Sequence, residues 1–249
     1  MKILVTGMSG LIGTALRERL EPRSELSALN RSDVPGIPTT QADLGDFDAI
    51  RPAFDGIDTV VHLAAKAGES FPFNELLQTN VAGTRHVYEA AREAGCRRVI
   101  FASSGATVSG WETEEPYRSM VAGDYANVPS EWPMIDHTMP PRPAGVYGST
   151  KVWGEALGRF YADTTDLSVL CIRLGYVNAP DRPGRPRDYS VWCSKRDIVN
   201  MLELCVDAPG ALRYDILFAN SNNRWGYRDL SHSKETVGFD PQDAADDFR

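Results

Sequence analysis

The sequence predicts an α/β fold built on a doubly wound parallel sheet, and three observations predict it. Short β-branched apolar runs recur along the chain, segments of helical period separate them, and the first run passes straight into a glycine-rich turn. Alternation of this kind builds a parallel sheet with helices on both faces. A chain of 249 residues with 42% apolar content can bury one substantial core.

Ile3 to Thr6 is the first strand. It leads into Val-Thr-Gly-Met-Ser-Gly-Leu-Ile-Gly, residues 5–13, and then into an amphipathic helix from Leu11 to Leu20. Gly7, Gly10 and Gly13 fall at the strand-to-helix turn. Glycine there lets the chain turn sharply and lets backbone approach a pyrophosphate, while the N–H groups of a helix starting at Leu11 and Ile12 point at the anion. A glycine triplet alone is a weak signal, but here it follows a strand and opens a helix, which is the context a dinucleotide site requires.

A second strand, Leu26 to Leu29, ends at Asn30, Arg31, Ser32 and Asp33. An acid at this point would bind the adenosine ribose, whereas a basic residue would accept a 2′-phosphate. Asn30 stands where the carboxylate is expected, and Arg31 with Ser32 can bind phosphate, so the cofactor is read as NAD(P), with NADP favoured over NAD; Asp33 keeps NAD open. Thr59 to Leu63 is a further strand and Asn74 to Ala94 a helix. After the strand Val99 to Ala102 comes a long stretch of low regularity, Gly105 to Ala144, holding six prolines and a cluster of acids. A loop this long is expected to be functional, often as a lid.

A helix from Val146 to Ala162 and a strand from Leu167 to Ile172 follow, and then a loop rich in Pro and Arg, residues 178–188. The chain closes with a helix from Lys195 to Val206, a strand from Tyr214 to Phe218, a short helix from Arg228 to Thr236, and a polar tail whose Phe248 can dock back. The whole reads as a single domain, 1–249. Residues 1–175 form mainly a dinucleotide-binding core with a 105–144 loop insertion, and 176–249 mainly a small substrate-binding portion.

On the 146–162 helix, Tyr147 and Lys151 are four residues apart and share a face, with Cβ atoms about 5–6 Å apart. The spacing alone is common. It gains weight from six blocks in order: Thr-Gly-x-x-Gly-x-x-Gly at residues 6–13, Ala-Asp-Leu at 42–44, Val-Val-His-Leu-Ala-Ala at 60–65, Thr-Asn-Val-Ala-Gly-Thr at 79–84, Val-Ile-Phe-Ala-Ser-Ser at 99–104, and Tyr-x-x-x-Lys at 147–151. Together they resemble the extended short-chain dehydrogenase/reductase superfamily, in its NAD-dependent epimerase/dehydratase branch, with a Rossmann-type sheet. The run from Phe73 to Gly95 and the stretches around 187–199 and 222–232 look most like uronate dehydrogenase and related sugar dehydrogenases.

The resemblance implies a function and a set of residues. Tyr147 would be the general base, Lys151 would hold the nicotinamide ribose and lower the phenol's pKa, and Ser104 would bond the reacting oxygen, with Ser103 the near alternative. Gly7, Gly10, Leu11, Ile12, Gly13, Asn30, Arg31, Asp43, Leu44, Leu63, Ala64, Ala65, Asn80, Lys151 and Tyr176 would surround the cofactor. Ser104, Gly105, Tyr147 and Arg187 would meet the substrate, with the Arg187 fork suited to an anion. Gly105 and Ala106 replace the Asn-His that follows the serine pair in uronate dehydrogenases. The expected activity is therefore NAD(P)-dependent oxidation of a CH–OH group in a small sugar or sugar acid. A nucleotide-sugar epimerase or reductase, or a non-catalytic dinucleotide sensor, are the alternatives.

Other classes are disfavoured. A net charge of -8 and a pI near 5.1 argue against nucleic acid or anionic membrane as partners. No 18-residue apolar run or signal peptide is visible, so a cytoplasmic enzyme with a small sugar substrate is expected, with an anionic sugar and a homo-oligomer both open. Cys96, Cys171, Cys193 and Cys205 form no pair with metal or disulfide spacing, and no metal is expected. His62 reads as a packed core histidine, His86 lies on a helix, and His137 and His232 fall in loops. Glu112, Glu114 and Glu115 read as a solvated loop face, and Trp153 and Trp192 as packing residues.

Overall fold

The computed structural model describes residues 1–249. Its elements run β1 (Lys2–Thr6), α1 (Leu11–Leu20), β2 (Glu25–Asn30), β3 (Thr39–Gln41), α2 (Phe47–Ile50) and β4 (Thr59–His62). Next come α3 (Phe73–Leu76), a π-helical stretch Leu77–Ala82 and α4 (Gly83–Glu93), then β5 (Arg98–Ala102), α5 (Tyr117–Ala122), α6 (Val146–Thr164) and β6 (Ser168–Leu174). The chain ends with α7 (Asp188–Val191), α8 (Lys195–Asp207), β7 (Tyr214–Ala219) and α9 (Ser231–Val237).

The seven strands form one parallel sheet in the order β3-β2-β1-β4-β5-β6-β7. The chain moves outward from β1 to β3 and then returns to the other side of β1 at β4. Loops leaving β1 and β4 therefore part in opposite directions, which opens a crevice at their carboxyl ends. Strands covered on both faces are largely apolar, and β4 and β5 are buried at every position, with the polar Thr59, His62 and Arg98 confined to their ends. One core cluster, with Val5, Leu16, Ile100, Ile198 and Leu202, packs α1 and α8 on one face; another, with Val60, Tyr88, Phe101 and Tyr161, packs α4 and α6 on the other.

Four expectations need correction. The strand β3 was not anticipated: it is three residues long and owes its existence to pairing with β2, Ala28 opposite Thr39. The helix expected from Asn74 to Ala94 is divided by its π-helical stretch, where the wider turn carries Asn80. The stretch 105–144 is not an irregular lid. It begins as a 3₁₀ turn from Gly105 to Thr113 and contains α5, and its Val108, Tyr117, Met120 and Ile135 pack with Val191, Phe218 and Tyr227 in a third buried cluster. His232 lies on α9 rather than in a loop; it bonds Asp215 at 2.8 Å and stacks on His137, 3.6 Å between ring centres. Phe248 does dock back, edge-on to the buried Trp192 ring at 5.4 Å. No helix is long and apolar enough to cross a membrane.

His62 is a buried core residue as expected, bonded to the Thr6 hydroxyl at 2.7 Å and to Thr84 at 3.2 Å. Burial, with the Lys151 charge adding to it, pushes its pKa down to about 3. The unfolded chain therefore takes up a proton near pH 6.5 that the folded chain refuses until about pH 3. Stability attributable to His62 is full above about pH 6.5 and declines toward pH 3. We expect the thermal midpoint to fall over that window and expect His62→Gln to flatten the fall, as followed by circular dichroism.

Candidate active site

The crevice at the ends of β1 and β4 holds a cleft of about 510 Å³ lined by Gly7, Ser9, Gly10, Leu29, Asn30, Arg31, Ser32, Ala42, Asp43, Leu44, Leu63, Ala64, Ala65, Lys66 and Thr79. Nine residues expected at the cofactor are among them. Gly7 takes φ +73°, and a Cβ there would lie 2.9 Å from the Ala64 backbone. Gly10 begins α1 with no side-chain cap, so the first-turn N–H groups at Leu11 and Ile12 remain free for an anion. Asn30 donates to Ser9 Oγ at 2.8 Å, while its own Oδ1 is buried without a partner beside the cleft. A glycine-walled turn, free helix N–H groups and an unpartnered amide oxygen together fit a dinucleotide.

Gly13 acts from behind. Its Cβ would meet Gly7 O, Met8 Cα and Met8 O, each at 2.6 Å, so any side chain there displaces the phosphate-facing turn itself. Gly13→Ala is expected to cost about 1–3 kcal/mol through such overpacking, weakening dinucleotide affinity roughly 5–150-fold in a fluorescence titration.

Asn80, Tyr176 and Lys151 are not in that lining. Asn80 spends its amide internally: Oδ1 accepts from Lys66 N at 2.8 Å, and Nδ2 donates to Lys66 O at 3.0 Å and to Thr150 at 3.2 Å. It ties the β4 loop to α6 rather than reaching into the cleft. Tyr176 pairs with Trp192 just beyond β6, and the Arg185 guanidinium lies 4.9 Å above its ring.

The catalytic candidates converge at the carboxyl end of β5. Ser103 turns inward and donates to Glu155 at 2.6 Å, whereas Ser104 is half-buried, caps the following 3₁₀ turn and lies beside the Tyr147 phenol. Of the two serines, Ser104 is the one whose hydroxyl faces the phenol. Tyr147 stands in the first turn of α6, and Lys151 one turn on places Nζ 5.9 Å from the phenol ring centre. Lys151 is fully enclosed, donates to Ala102 O at 2.7 Å, and has its pKa lowered to about 8 by burial, with Glu155 working against the shift. Burial also pushes the Tyr147 phenol above its ordinary value; the Ser104 hydroxyl lowers it and the Glu69 carboxylate raises it.

Several residues of the site were not singled out from sequence. Glu155, one turn beyond Lys151, accepts both the Ser103 bond and a fork from Arg173, Nε and Nη2 each at 2.9 Å; both side chains are buried. Glu69 reaches from the β4 loop to accept Tyr147 N at 3.1 Å, and its carboxylate occupies the space a Cβ at Gly145 would need. Arg228 is buried with its guanidinium where a Gly105 side chain would stand, donating to Gly105 O at 3.3 Å.

Arg187, expected to meet the substrate, is already engaged. Its Nε and Nη2 donate to Glu112 at 2.6 and 2.7 Å, and Tyr227 donates to the same carboxylate at 2.5 Å. Glu112 is thus not part of a solvated acidic face. Burial works against its charge, but the Arg187 fork, Arg228 and Tyr227 together hold its carboxyl below the usual range.

The chain is similar over its length to proteins of known activity. Residues 3–194 match the NAD dependent epimerase/dehydratase family. An NAD-dependent glucose-6-phosphate dehydrogenase of Haloferax volcanii is 30% identical over 99% of this chain and 95% of its own length. A uronate dehydrogenase of Agrobacterium fabrum is 33% identical over 100% of this chain and 87% of its own, and an L-arabinose 1-dehydrogenase (NAD(P)(+)) of Haloferax volcanii is 29% identical over 97% and 96%. The crystal structure of uronate dehydrogenase from Agrobacterium tumefaciens superposes with a TM-score of 0.84 at 33% identity, covering 100% of this chain and 86% of that one. With a glycine turn at β1, a Ser-Tyr-Lys set at β5 and α6, and a family match over most of its length, the chain belongs to the NAD dependent epimerase/dehydratase family.

Proposed function

We propose that this protein is an NAD(P)-dependent dehydrogenase that oxidises a CH–OH group of a small sugar. The observation that carries the reading is the convergence of Ser104, Tyr147 and Lys151 at the end of β5, beside a cleft with the features of a dinucleotide site. Bound oxidised nicotinamide supplies the hydride acceptor and a positive charge near the phenol. Ser104 holds the substrate hydroxyl oxygen, and Tyr147 takes its proton as the C–H bond is lost. Lys151, screened from water, keeps a positive charge one helical turn from the phenol, and its Nζ would help hold the nicotinamide ribose of a bound dinucleotide.

For the cofactor, the end of β2 favours NADP. Asn30, Arg31 and Ser32 line the cleft there, and the nearest acid, Asp33, does not. An arginine suits a 2′-phosphate where a carboxylate would suit free hydroxyls. The test is a panel of aldoses, uronates and sugar phosphates, each with NAD and with NADP, followed by nicotinamide absorbance. Turnover of a sugar, with a higher kcat/KM for NADP, is expected. Dinucleotide binding without turnover of any sugar would overturn the dehydrogenase reading.

A further inference from the structure

The cluster around Glu112 bears on which sugars the site accepts, and rests on the dehydrogenase reading above. Glu112 lies on the 3₁₀ turn that follows Ser104, so it is fixed to the same segment that presents the catalytic hydroxyl. The Arg187 fork, the obvious anchor for a carboxylate or phosphate, is closed on it by two bonds of 2.6 and 2.7 Å. Arg228 approaches the same carboxylate at 3.9 Å, and the Tyr227 hydroxyl supplies a further bond. Planar bidentate pairing is what Arg would give a substrate carboxylate, and the chain supplies that carboxylate itself.

Charge counting points the same way. Arg187 and Arg228 contribute two positive charges; Glu112, 11% exposed, and Asp188, 1% exposed, contribute two negative ones. Asp188 also pairs with Arg185, but that side chain is 61% exposed and its charge is screened by solvent. With Arg187 32% exposed and Arg228 3% exposed, the charges of the cluster therefore balance before any substrate arrives. Glu69 already occupies the N-terminal end of α6, another place where an anion would be stabilised, by accepting from Tyr147 N at 3.1 Å. A substrate carboxylate would have to displace an internal one or sit near two of them.

We propose that Glu112 is a specificity-determining residue: it stands in for a substrate carboxylate at Arg187 and restricts the site to uncharged sugars. The recognition that remains around Ser104, Gly105 and Ala106 is by hydroxyl groups and carries no net charge. That matches the loss of side-chain polar groups at the last two positions.

The experiment compares kcat/KM of the wild-type enzyme for uncharged aldoses with that for the corresponding uronates and 6-phosphates. Uncharged sugars are expected to be preferred by roughly 100-fold or more. Glu112→Gln keeps the volume and the Tyr227 contact while releasing the Arg187 charge, and it should raise the uronate-to-aldose ratio at least about tenfold. Equal or better turnover of uronates or sugar phosphates by the wild type would overturn the inference whether or not the variant folds, and so would an unchanged ratio in a folded Glu112→Gln. Those results leave sugar dehydrogenation standing. Failure to turn over any sugar would overturn both.

Discussion

Tyr147→Phe lowers kcat for sugar oxidation by about 10²–10⁴-fold while leaving the dinucleotide dissociation constant within about threefold. The substitution removes one oxygen from a half-buried ring and leaves the α6 backbone, Gly145 and the Lys151 bond to Ala102 unchanged. What is lost is the hydroxyl that lies beside Ser104 and would take the substrate proton. Burial holds the phenol above its ordinary range, so the wild-type kcat/KM in the oxidative direction should climb with pH as the phenolate forms. The climb is opposed where Lys151, with a pKa of about 8, gives up its charge. In the Phe variant the residual rate should lose that rise. Rapid-mixing kinetics with saturating dinucleotide would measure it, and a variant turning over near the wild-type rate would remove Tyr147 from the mechanism.

The parts of the site visible in the sequence are those set by short stretches of chain. Gly7, Gly10 and Gly13 signal themselves because a strand, a tight turn and a helix start within 13 residues. Tyr147 and Lys151 do so because helical periodicity alone places them on one face. What was not visible depends on partners far away in the chain. Glu112 sits next to Glu114 and Glu115, and the composition of that run reads as solvated; only the 3₁₀ turn directs Glu112 inward to an arginine 75 residues later. Arg228 reaches Gly105 across 123 residues, and neither residue advertises the other. The strand β3 has a similar origin, since three residues carry no periodicity and the edge of β2 supplies the reason for their conformation. The 105–144 stretch misled for a related cause. Its prolines break regular periodicity, yet Val108, Met120 and Ile135 are fully buried against residues from the last third of the chain.

Glu155→Ala is expected to produce the largest loss of stability among single changes near the site. Glu155 and Arg173 are enclosed, at 4% and 1% side-chain exposure, and are joined by two bonds of 2.9 Å. Removing the carboxylate leaves a guanidinium in the interior with one nitrogen, Nη1, that already has no partner. Breaking such a pair from one side costs about 3–5 kcal/mol, which for a chain of this size corresponds to a fall of roughly 6–20 °C in thermal midpoint. The same change frees Ser103, whose hydroxyl bonds Glu155 at 2.6 Å, and so loosens the end of β5 that carries Ser104. Activity measured well below the melting range should therefore fall as well. The double variant Glu155→Leu with Arg173→Met separates the two effects. Replacing both charges by apolar side chains removes the desolvation burden and should restore most of the thermal midpoint. It cannot restore the Ser103 bond, so kcat should stay depressed. Full recovery of both quantities would mean that Glu155 stabilises the fold without positioning the serine turn. Failure of the double variant to regain stability over Glu155→Ala would mean that the cost does not come from the stranded arginine.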